Sequence, residues 1–168
     1  IEAYAEALRE VGNPSSVHAH GQAAKRMLED ARERLAAVLD CEPIEVLLTS
    51  GGTESINLAI KGLFWQRNAA GDRPRILVPD GEHHATVDTV EWLRAHDAAV
   101  IEHVPIDALG RIRLDALEAA LGPDVALVSL LWANNEVGTR QPIAEVVALA
   151  AAHGVPVHSD AVAAYGHE

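Results

Sequence analysis

Four short stretches place ligand-competent polar residues directly after apolar runs. The first is Thr49-Ser50-Gly51-Gly52-Thr53-Glu54-Ser55. Glycines let a backbone approach an anion closely, and a helix starting there offers free N–H groups and the positive end of its dipole. Thr53 adds a hydroxyl. The same residues suit a tight strand-to-helix turn with a threonine cap, and no Gly-Lys-[Ser/Thr] follows to make a Walker-type loop. The second stretch, Glu82-His83-His84, offers a histidine that could stack on a flat ring or shuttle a proton, or a pair of solvated loop histidines. In the third, Trp132-Ala133-Asn134-Asn135-Glu136-Val137-Gly138, two amides and a carboxylate suit a polar ligand or a turn cap. The fourth, His158-Ser159-Asp160-Ala161, carries a carboxylate able to bind a metal, a ribose or a protonated ring nitrogen, or to cap a turn.

The elements that must position these residues follow from periodicity. Ala24, Met27, Leu28, Ala31, Leu35 and Val38 recur at helical spacing with charged residues between them, and Cys41-Glu42-Pro43 ends that helix. Residues 45–49 read as a short buried strand, followed by a helix through Ile56, Leu58, Ile60 and Leu63. Strands are expected at 75–79, 98–104, 125–131 and 155–158, with helices at 86–96, 114–121 and 143–153. Five strands separated by helices imply an α/β fold, a mostly parallel sheet with helices on both faces. In such sheets ligands bind at the carboxyl ends of the strands, where all four stretches lie. An anion cradle, a flat histidine, an amide and a carboxylate are together the parts that hold pyridoxal phosphate. The carboxylate keeps the pyridine nitrogen protonated, so the ring can accept electrons from a substrate carbanion.

Composition narrows the partners. Thirteen basic residues against 25 acidic ones give a net charge of −12, a surface that repels nucleic acid and anionic lipid. No apolar run approaches the roughly 20 residues of a membrane helix, and residues 1–11 lack the pattern of a secretory signal. The single cysteine, Cys41, cannot form an internal disulfide, which favours a cytoplasmic location.

The stretches above, together with Asn13-Pro14-Ser15-Ser16-Val17-His18, resemble in order and spacing the cysteine desulfurases, in the class V branch of fold-type I pyridoxal-phosphate enzymes. The resemblance covers essentially the whole chain. It implies that Thr53 and the Gly51–Gly52 backbone bind the phosphate, and that His83 stacks on the ring and assists proton transfer. Asn135 would bond the ring hydroxyl and Asp160 the ring nitrogen; no residue is assigned to a metal. The family usually has a glutamine three residues after this aspartate, where this chain has Ala163. Family members take L-cysteine to L-alanine and pass the sulfur to an enzyme cysteine. The resemblance further implies a homodimer, a sulfur-acceptor protein and a role in iron–sulfur cluster assembly. Selenocysteine lyases share most of the pattern, so a selenium substrate stays open.

The family's covalent lysine lies beyond Asp160, past the last residue of this sequence, and its sulfur-accepting cysteine later still. Lys25 and Lys61 read as surface helix residues and Cys41 as a packing residue. The sequence is therefore expected to be a fragment: 1–12 the trailing piece of an N-terminal segment, 13–168 an incomplete cofactor-binding large domain. The alternative is a non-catalytic anion- or cofactor-binding module. In the family two later strands separate the one before the phosphate loop from the one at 125–131. Residues 45–49 are thus expected to lie apart from the main sheet or to need another polypeptide.

Overall fold

The computed structural model describes residues 1–166, so the last two positions of the domain expected over 13–168 lie outside the described residues. The chain packs as two compact units, residues 1–48 and 49–168.

The first unit holds α1 (Glu2–Ala7) and the long α2 (Ala19–Leu39). His18 starts α2, its Nδ1 accepting the Gly21 N–H at 3.2 Å, and Asp40 ends it in the left-handed conformation at φ 54°. The strand expected at 45–49 does not form. Pro43–Glu45 is a 3-10 turn, and the residues after it enter no ladder. Its stitches are local: the Glu42 N–H donates to Glu45 Oε2, and Arg32 donates to the Val46 carbonyl. An apolar, β-branched run becomes a strand only with a neighbour to pair with, and no strand of the sheet takes that place. Within this chain the segment enters no ladder.

The second unit alternates strand and helix. It comprises α3 (Gly52–Arg67), β1 (Arg75–Pro79), α4 (His84–His96), β2 (Val100–Val104), α5 (Leu114–Ala120), β3 (Val125–Leu131), α6 (Ile143–Ala152) and β4 (Val157–Asp160). The four strands are all parallel, in the order β2-β1-β3-β4. Every residue of β3 is buried, as a central strand covered on both sides requires. Alternation along β1 divides the core. Ile76 and Val78 pack with Ile56, Ile60 and Phe64 of α3 and Val90 and Leu93 of α4. Leu77 faces the other way, onto Leu117 of α5 and Val146 and Ala150 of α6. Each fully buried side chain of this kind contributes roughly 1.5–3 kcal/mol.

Two strand starts differ from expectation. Ala98 turns left-handed at φ 54°, so β2 begins at Val100. Pro156 has no N–H to donate, though its carbonyl accepts the Val128 N–H at 3.0 Å, and the β3–β4 ladder begins with Val128 opposite Val157. It ends with Leu131 opposite Asp160, which makes Asp160 the last residue of β4 rather than part of a following loop.

Candidate functional site

The carboxyl end of the sheet gathers the expected residues. Gly51 is the N-cap of α3, and no side chain caps this end. Glu54 turns its carboxylate back onto Ser50, accepting the N–H at 2.7 Å and the hydroxyl at 2.5 Å. The Ser50 hydroxyl, then its N–H, hold that carboxyl below its usual range. The acid of the first turn is thus occupied, and the helix start keeps no side-chain cap. Gly52 is needed for closeness: a Cβ there would stand 2.9 Å from Val162 Cγ2. Gly51 has open space, and its φ of 162° is ordinary extended backbone.

His83 is the N-cap of α4, and its Nδ1 accepts the Ala85 N–H at 3.1 Å. That bond assigns the proton of the neutral ring to Nε2, the nitrogen free to donate. The two asparagines divide their work. Asn134 Oδ1 accepts the Glu136 and Val137 N–H groups at 2.8 and 3.0 Å, and its Nδ2 donates to the Gly81 carbonyl at 3.1 Å. Asn134 therefore shapes the loop, and Asn135 is exposed. Asp160 is buried, 6% exposed, with Oδ1 accepting the Val162 N–H at 3.0 Å.

Gly52, Thr53, His83, Asn135 and Asp160 line one cavity of about 280 Å³, closed by Ile56, Ala85, Leu131, Val162 and Ala163. Gly51 stands just outside it. A larger cavity of about 550 Å³ adjoins, sharing His83, Leu131 and Asn135. Lys61 lines neither cavity; its Nζ lies 4.1 Å over the Trp92 ring. Lys25 lies in α2.

Two titratable groups beside this site carry no expected role. His158 bonds Ser129 through Nδ1 at 2.9 Å, and burial pushes its pKa down, against the pull of the Asp160 charge. Glu82 accepts the Leu131 N–H at 2.9 Å, and burial pushes its carboxyl up to about 7. Glu82 stands in the Glu82-His83-His84 stretch, but a glutamate in a polar loop looks solvated until the fold shows where its side chain goes. The available signal was its place one residue before His83, at the end of a buried strand.

The chain is also similar to known proteins. Residues 1–168 match the class-V aminotransferase family. The chain is 50% identical over 99% of its length to the IscS-like cysteine desulfurase of Mycobacterium tuberculosis, of which it covers 43%. It thus spans less than half the length of that relative. The crystal structure of DndA from Streptomyces lividans superposes with a TM-score of 0.87 at 36% identity, over 98% of this chain and 47% of that one. SspA in complex with cysteine superposes at 0.89 and 29% identity, over 98% and 48%. With its parallel sheet, its residues gathered at one sheet edge and these relatives in common, the chain belongs to the class-V aminotransferase family.

Proposed function

We propose that this chain supplies the cofactor-binding part of a pyridoxal-phosphate-dependent cysteine desulfurase. The whole protein would convert L-cysteine to L-alanine and transfer the sulfur to an enzyme cysteine as a persulfide. The observation that carries this reading is the single cavity shared by Gly52, Thr53, His83, Asn135 and Asp160. Its residues suit the cofactor end by end. The uncapped start of α3 and the Thr53 hydroxyl suit a phosphate. The His83 ring offers a flat face, and Asn135 an amide for the ring hydroxyl. When bound, pyridoxal phosphate supplies an electron sink for a carbanion at the substrate α-carbon.

The chain's residues would then act as follows. Asp160, shielded at the strand end, holds the proton on the ring nitrogen through a charged hydrogen bond. His83, with its proton on Nε2, gives or takes a proton at the reacting end. Ala163, at the cavity wall, contributes no hydrogen bond through its side chain. Among the described residues that line the cavity there is no lysine, so we propose that this chain by itself binds the cofactor non-covalently at most. Names of relatives and a neighbour holding cysteine favour a sulfur substrate over selenium. We extend the proposal to a cytoplasmic homodimer feeding a sulfur-acceptor protein in iron–sulfur cluster assembly, with neither nucleic acid nor membrane as partner. Among the described residues no helix is long and apolar enough to cross a membrane.

The test uses the full-length protein. Cofactor uptake and equimolar release of alanine and persulfide sulfur from L-cysteine are expected. A protein that takes up pyridoxal phosphate but yields no alanine from cysteine would refute the assigned substrate.

A further inference from the structure

Glu82 lies in the β1–α4 loop and reaches to the end of β3, where Oε1 accepts the Leu131 N–H at 2.9 Å. Its other oxygen, Oε2, is buried without a protein partner. His83 follows it directly, and Leu131 pairs in the ladder with Asp160. The Glu82 carboxyl is therefore set between the histidine and the aspartate of the site. Asn134 makes a second stitch between the same loops through the Gly81 carbonyl. The titratable residues that line the larger cavity with Glu82 are Asp80, His83, His84, Asp107 and Glu136, and Asp160 on β4 pairs with Leu131 in the ladder. A second negative charge here would be buried, half-satisfied and opposed by Asp160. Burial is the main reason its carboxyl is pushed up to about 7; the Leu131 N–H opposes the shift and the Asp160 charge adds to it.

We propose that Glu82 is a positioning residue of this site that works as a neutral carboxylic acid. One oxygen fastens the His83 loop to β3, and the other is buried without a protein partner. Asp160 is thereby left as the charged carboxylate of the pair. The proposal rests on the function above for what Asp160 faces, but the protonation of Glu82 needs no cofactor.

The test has two arms on the full-length protein. In the first, the cofactor is removed and carboxyl ¹³C resonances are followed with pH, Glu82 being the signal lost in Glu82→Gln. A midpoint near 7 is expected; a midpoint near the ordinary value of about 4 would overturn the proposal. In the second arm, affinity for pyridoxal phosphate is measured at pH 6.5. Glu82→Gln keeps an acceptor for the Leu131 N–H without a charge and should bind within about twofold of the parent, whereas Glu82→Ala should bind roughly tenfold more weakly. A glutamine variant as weak as the alanine variant, or an alanine variant as tight as the parent, would also overturn it. Should Glu82→Ala not fold, the glutamine variant and the carboxyl midpoint still decide. If the parent protein takes up no cofactor, it is the proposed function that fails, and the midpoint alone decides for Glu82.

Discussion

Asp160 and Asn135 reach the cavity by different routes, and their loss should cost different amounts. Asp160 closes β4, is 6% exposed and is oriented by the Val162 N–H, whereas Asn135 sits in an exposed loop. In the full-length protein Asp160→Ala should abolish alanine release from cysteine, while Asn135→Ala should slow it about tenfold, since a charged hydrogen bond is roughly twice as strong as a neutral one. Near-normal turnover of the Asp160 variant would contradict its role as partner of the ring nitrogen. Ala163 allows a gain-of-contact test. It lines the cavity at the position where the family resemblance implies a glutamine, so Ala163→Gln should tighten pyridoxal phosphate binding about three- to tenfold, read from absorbance titration. Unchanged or weaker binding would show that the cavity has adapted to the small side chain. Asp160, Asn135 and His83 were readable from the chain because their types are distinctive and follow apolar runs. The burial of Glu82 was not, because it arises from Leu131, nearly fifty residues later.

At the scale of the element, β1 and β3 can be read to the residue from continuous apolar runs bounded by turn formers. Residues 45–49 have the same look and form no strand. The difference lies in the partner, which a local pattern does not carry. The shift of β4 has a similar origin, since Pro156 looks apolar but cannot donate to a ladder. The start of α3 offers a sharper test of element geometry. Gly52→Ala sets a methyl 2.9 Å from Val162 Cγ2, whereas Gly51→Ala meets nothing within 4 Å. Overpacking against an exposed methyl belongs at the low end of the usual penalty, about 1 kcal/mol. Gly52→Ala should therefore weaken cofactor affinity about fivefold and Gly51→Ala by less than twofold. Adding Val162→Ala should restore the Gly52 variant. Equal losses at the two glycines, or no recovery, would show that the cradle depends on something other than this approach.

For the whole molecule, the two half-buried groups beside the site tie stability to pH in opposite senses. Folded Glu82 keeps its proton up to about pH 7, whereas the unfolded chain loses it near 4.5. The folded state then binds the extra proton, so stability from Glu82 falls as pH rises through that window, by up to roughly 3 kcal/mol, and is level above it. His158 is held neutral by burial, with its pKa below 6.5. Its contribution rises with pH up to about 6.5 and is level beyond. Comparing the full-length protein with Glu82→Gln cancels the histidine. The urea midpoint of the variant should gain on the parent steadily between pH 4.5 and 7, and a difference independent of pH would refute the assignment.

His83, Leu131 and Asn135 are walls of both cavities at once. The free energies of filling the two spaces are therefore linked. A molecule entering the larger space that turns the His83 ring changes the affinity of the smaller one by some factor. A molecule already in the smaller space must then change the affinity of the larger by the same factor. Whether that factor tightens or loosens binding decides whether the two occupants arrive as allies or as competitors.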